Sequence, residues 1–189
     1  MRAAPADLVL TGGPSLHHSK RKRHANVHCF SSSVDAAHFA PGIGNQIPDH
    51  PAQASLANPG LGYCGVIDER IELELIAALA DAHPEWQMVM VGSVVKISQE
   101  KLPRRSNIHW LGQQRYEDLP HFMAGWDVCL LPFAVNDATR FISPTKTLEY
   151  MAAERPSVST CIRDVAEPMG MWLRLPTRRL NSSRLARYC

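Results

Sequence analysis

Lys146 and Glu149 stand three residues apart in the stretch ISPTKTLEYMAAERPSVST, residues 142–160. Residues at this spacing are neighbours on a helix, and the bland reading is a weak, solvated ion pair. The selective reading is a ligand site, with the ammonium facing an anion and the carboxylate accepting hydrogen bonds from hydroxyls. Ser143 suits an N-cap and Pro144 the first helical position, which predicts a helix over 144–153. The N–H groups at such a helix start attract anions. Phosphate on the helix end and lysine, with sugar hydroxyls on the glutamate, is one way to hold a nucleotide sugar. The residues alone leave this reading and an ordinary capped helix both open.

The elements that must position the pair are legible around it. LGYCGVI, QMVMVG, NIHWLG, DVCLLPF and PSVST read as short buried strands. Ile71, Leu75, Ile76, Leu79 and Ala82 recur at helical spacing after a cluster of acidic residues that suits a helix start. Leu119, Phe122 and Met123 form the inner face of a second, shorter helix. Strands that are apolar almost throughout, separated by helices, predict a parallel sheet covered on both faces. The expected fold class is therefore α/β, a Rossmann-like open parallel sheet over residues 58–170. Ligands of such sheets sit at the carboxyl ends of the strands, where this sequence has Gly65, Gly92, Gly112 and the loop after Phe133. Residues 1–57 read as a loop-rich leader. Residues 171–189, with five arginines and no acidic residue, read as a tail outside the core.

Composition narrows the function classes. A formal net charge of +2 over 189 residues makes no electrostatic case for nucleic acid. Five cysteines, none spaced as CxxC, point to reduced thiols in a cytoplasmic protein rather than to a disulfide frame or a zinc site. No apolar run approaches the roughly 20 residues of a membrane span, and the opening residues do not make a signal peptide. Lys20 to Arg23 read as a solvated basic face. His17, His18, His24 and His28 lack acidic or cysteine partners at ligand spacing, so no metal is expected. No GxGxxG follows the first strand of the domain, GYCGVIDER being the nearest approach, which argues against a dinucleotide cofactor. His109 and His121 read as ordinary surface or edge histidines.

Taken in order, GYCGVIDERIELELIAALADAHPEWQMVMVG, NIHWLG, EDLPHFMAGWDVCLLPF and SPTKTLEYMAAERPSVST resemble the C-terminal half of bacterial group 1 (family 4-like) glycosyltransferases. The resemblance covers about residues 26–170, with NVHCFSSSVDAAHF similar to the segment that leads into the family's second domain. It implies a GT-B architecture of two Rossmann-like domains, of which the second binds a nucleotide-diphosphate sugar. The implied activity is hexosyl transfer to a glycan or lipid-linked acceptor, with no metal or other cofactor. By position, Glu149 resembles the glutamate that holds the donor ribose. Ser143, Pro144 and Lys146 fall where diphosphate and sugar are gripped, Arg70 near a basic residue that neutralises the diphosphate, and Gly65 where backbone approaches the ligand. Phe141 and Val66 depart from the family pattern, standing where many relatives carry glutamate and arginine. Glu154 replaces a glycine at a position that often needs the left-handed conformation, a cost of about 1 kcal/mol. Ser157 puts a hydroxyl into an otherwise aliphatic strand. The acceptor domain and the family's closing helices have no counterpart, so the chain reads as truncated and inactive alone. The alternative is a non-catalytic nucleotide-binding or interaction fragment.

Overall fold

The computed structural model describes residues 6–169; the arginine-rich stretch 171–189 lies outside the described residues. The segment expected to be loop-rich carries regular structure. β1 (Val9–Thr11), α1 (Pro14–Arg21) and β2 (Val27–Cys29) form a β-α-β lobe whose strands pair in parallel, Val9 with Val27 and Thr11 with Cys29. Pro14 opens α1, and Lys20 and Arg21 close it, where cations suit the negative end of the helix. Two histidines of this lobe bond its backbone. His24 bonds the carbonyls of Ala6 and Asn26, and His17 bonds that of Val27. A short helix follows, α2 (Ala36–Phe39), capped by Asp35 through the His38 N–H. Its Phe39 is fully buried in the main core.

The main sheet begins with β3 (Gly60–Cys64), crosses through α3 (Leu73–Ala82) to β4 (Gln87–Val91), and continues to β5 (Ile108–Gly112). α4 (Leu119–Ala124) leads to β6 (Val128–Leu131), and α5 (Lys146–Ala152) to β7 (Ser157–Ser159). α6 (Arg163–Met169), which the sequence pattern did not announce, follows. All pairings are parallel, in the order β5-β4-β3-β6-β7. Every residue of β3 and β6 is buried. This explains why these strands read as unbroken apolar runs rather than alternations. The acidic residues expected in the first turn of α3 mostly precede it, because Asp68 and Glu69 belong to the loop after β3.

Several contacts tie the residues before 58 to the main domain. Gln53 donates to the Phe122 carbonyl at 2.8 Å and accepts the Trp126 indole N–H at 3.0 Å. Arg155 reaches the carbonyls of Gly42, Ala124 and Trp126. Trp126 lies across β3 at Gly62, where a Cβ would come 1.8 Å from the indole. The two expected irregularities after α5 are accommodated locally. Glu154 adopts φ of 52°, the left-handed conformation its position requires, and the Ser157 hydroxyl donates to the carbonyl of Arg155.

Candidate functional site

β3 is followed outward by β4 and β5 on one side of the sheet and flanked by β6 and β7 on the other. The strand order therefore reverses between β3 and β6. The crevice outside the carboxyl ends at such a reversal is where open α/β sheets take their ligands. Two loops meet there. Ile71 forms an isolated antiparallel bridge with Phe133, and the N–H groups of Glu72 and Ala134 donate to the carbonyls of Pro132 and Arg70, both at 2.8 Å.

Gly65 is the first residue beyond β3. It adopts φ of 150°, and a Cβ there would lie 2.8 Å from Tyr63 Oη and 3.4 Å from Lys146 Cε. Gly92, beyond β4, has φ of 147°, and a Cβ on it would meet the Gly65 carbonyl oxygen at 1.8 Å. Both positions exclude side chains for steric and conformational reasons together. The Tyr63 hydroxyl donates to the carbonyl of Val66 at 3.0 Å, which pins the turn.

α5 carries Lys146 and Glu149 to the same place. Lys146 Nζ lies 3.0 Å from Glu149 Oε1 and 2.9 Å from Oε2, with the two side chains 24% and 12% exposed. This is not the solvated pair of the bland reading. Burial by itself lowers the pKa of Lys146. Glu149, by charge and by hydrogen bonding, raises it, and the net displacement is upward, so the ammonium stays charged. An ammonium has three N–H donors; Glu149 can take two and leave one for an anion. Cys64 Sγ sits 3.9 Å from Glu149 Oε2 and from Tyr150 Oη. Burial pushes this thiol up to about 12, so it stays neutral.

The other expected site residues are placed less simply. Ser143 does not cap α5 and Pro144 is not its first residue. The N-cap is Thr145, without a side-chain cap bond, and the carbonyls of Pro144 and Thr145 begin the turn by accepting from Thr147, Leu148 and Glu149. Ser143 instead lies against Gly13 of the β1–α1 turn, where an added Cβ would approach Ser143 Cβ to 2.7 Å. Arg70 is engaged by Asp68, with Nε at 2.9 and 3.0 Å from the two carboxylate oxygens and Nη2 at 2.7 Å from Oδ2. Burial works to raise the Asp68 pKa, but the Arg70 side chain and backbone N–H outweigh it and hold the carboxyl below its ordinary value. The Arg70 side chain remains 39% exposed, which leaves guanidinium donors for a further anion.

His109 and His121 lie elsewhere. His109 bonds Gln87 Oε1 at 2.8 Å, and burial lowers its pKa. His121 Nδ1 bonds the Pro48 carbonyl at 2.8 Å. Phe141 is covered by Arg140, whose guanidinium carbon lies 5.3 Å from the ring centre. Among the described residues, no cluster of three or more His, Cys, Asp or Glu could hold a metal ion, and no helix is long and apolar enough to cross a membrane. Sequence reasoning missed Tyr150, which is fully buried and reaches the end of β3. The one available signal was a phenol on the buried face of α5, directly after Glu149.

Comparison with known proteins gives this geometry a context. Residues 59–174 match the family described as Glycosyl transferases group 1. The Bacillus subtilis (strain 168) protein TuaH, named for a glycosyltransferase role in teichuronic acid biosynthesis, is 25% identical over 162 residues, covering 82% of this chain and 40% of its own length. The fold is shared with sucrose-phosphate synthase from Thermosynechococcus elongatus, at TM-score 0.65 and 20% identity over 87% of this chain and 43% of that one. It is also shared with Anabaena Alr3699/HepE, solved in complex with UDP and glucose, at TM-score 0.62 and 16% identity over 82% of this chain and 44% of that one. The chain thus spans less than half the length of these relatives.

Proposed function

Because the chain belongs to the group 1 glycosyl transferases, we propose that residues 58–170 form the donor-binding, C-terminal domain of a GT-B hexosyltransferase. Such an enzyme takes a sugar from a nucleotide diphosphate and passes it to a glycan or lipid-linked acceptor. The observation that carries this reading is the mostly covered Lys146–Glu149 pair at the β3–β6 crevice, against the side-chain-free backbone of Gly65. Glu149 accepts hydrogen bonds from the donor's ribose. Lys146 and the backbone around Ser143 and Pro144 hold the diphosphate, and the exposed side of Arg70 adds positive charge. Glycosyl transfer leaves negative charge on the departing diphosphate, and donors fixed in advance at that point stabilise the transition state. Lys146 and Arg70 supply that charge without a metal or other cofactor. We assign the activity to the cytoplasm, in keeping with the cysteine pattern.

The acceptor site belongs, in this reading, to a further domain preceding this one, in the same polypeptide or another. The chain's 40% share of TuaH favours that division, and without the further domain this unit binds the donor but transfers nothing. The UDP in the Anabaena structure makes UDP the first nucleotide to try. Calorimetric titration with UDP, GDP, their hexose conjugates and NAD tests the proposal. Saturable binding of one nucleotide diphosphate is expected. Binding of NAD alone, or of nothing by a folded chain, contradicts it.

A further inference from the structure

The β3–β6 ladder stops one rung early, and a side chain fills the gap. The pairings Leu61↔Val128 and Gly62↔Cys129 set a register whose next rung joins the Cys64 N–H to the Leu130 carbonyl. That bond is absent. The Cys64 N–H donates instead to Tyr150 Oη at 3.1 Å, and Tyr150 Oη reaches the Leu130 carbonyl at 3.4 Å. The rung after that, to the Cys64 carbonyl, has no donor, because residue 132 is proline. On its other side β3 continues normally, Cys64 pairing with Val91 and the Gly65 N–H donating to the Val91 carbonyl at 2.8 Å. At the strand-order reversal the sheet is therefore parted by a hydroxyl that satisfies both of the backbone groups it separates.

We infer that Tyr150 is a positioning residue for donor binding: its hydroxyl is a wedge that holds the carboxyl ends of β3 and β6 apart, and so sets Gly65 at the distance from Lys146 and Glu149 that a diphosphate needs. The inference rests on the donor-binding reading above. Buried N–H and carbonyl groups must be paired. Without the hydroxyl, the Cys64 N–H and the Leu130 carbonyl satisfy each other directly, the strand ends draw together, and Gly65 shifts towards β6. A phenylalanine at 150 keeps the ring volume of this fully buried side chain and removes only the wedge.

The test is Tyr150→Phe, titrated with UDP, or with GDP if that is the nucleotide the wild type takes, well below its unfolding temperature. The dissociation constant is expected to rise about tenfold, because the nucleotide must part the closed strand ends again in order to bind, and the Cys64 amide resonance should move to that of a backbone rung. A purely structural tyrosine would lower the melting temperature and leave the affinity of the folded chain unchanged; that result overturns the inference and leaves the donor reading standing. Should Tyr150→Phe not fold, the wild type decides. On nucleotide addition the amides of Cys64 and Gly65 and the Tyr150 hydroxyl proton should shift together, and binding that leaves them unmoved overturns the inference. A folded wild type that binds no nucleotide overturns the inference and the donor reading together.

Discussion

Glu149→Gln and Lys146→Ala should each weaken binding of the preferred nucleotide diphosphate by about ten- to a hundredfold, the loss of one charge-assisted hydrogen bond at roughly 1.5–3 kcal/mol. The two variants fail for different reasons. Glutamine keeps the shape of Glu149 but donates where the carboxylate only accepted, so it meets ribose hydroxyls with one acceptor fewer. Alanine at 146 removes the cation that faces the diphosphate. It also leaves a carboxylate that is only 12% exposed without its partner, so Lys146→Ala should lose stability as well as affinity. Measured by calorimetry at a temperature where both variants are folded, unchanged affinity in both would return the pair to an ordinary helix-surface interaction.

Trp126→Ala should cost about 3–5 kcal/mol of stability, the range for removing a large buried aromatic. The side chain is 1% exposed, packs over Gly62 of the central strand, and gives its indole N–H to Gln53. Its loss therefore opens a cavity at the middle of the sheet and leaves a Gln53 oxygen, in a residue only 4% exposed, without its donor. A domain of ordinary stability has about 5–15 kcal/mol in total, so the urea midpoint should fall by a large fraction or the chain should fail to accumulate. A loss under about 1 kcal/mol would mean that residues before 58 are not fastened to the sheet as described.

The main sheet was legible because β3, β4 and β6 are almost wholly buried, so sequence alone shows them as unbroken apolar runs, and because β3, β4 and β5 each end at a glycine. The lobe of β1, α1 and β2 was not. Its strands are three residues long, Leu8 and Leu10 are exposed, and α1 is crowded with histidines and cations. No continuous apolar stretch betrays it. Glu154 was legible to the level of its backbone conformation, because a position that follows a helix is constrained by the helix itself. Ser143 was misread as a cap because its neighbour, Gly13, lies 130 positions earlier in the chain. Arg70 was read only by its likeness to a diphosphate-neutralising residue; its ion pair with Asp68, an acidic residue expected to serve a helix start, was not foreseen. The role of Tyr150 depends on the register of two strands far from it in sequence, which no local pattern discloses.

Amide hydrogen exchange with and without saturating nucleotide diphosphate tests the central claim most directly, because it reports where the ligand sits. Slowed exchange should be concentrated in residues 63–66 and 143–150, on either side of the β3–β6 crevice. Protection should be absent from the small cavity at the opposite ends of the strands, lined by Asp49, Gln53, Asn58, Gly60 and Gln87. Protection confined to that cavity or to the β1–α1–β2 lobe, with residues 63–66 and 143–150 unchanged, would contradict a donor site built on Lys146 and Glu149.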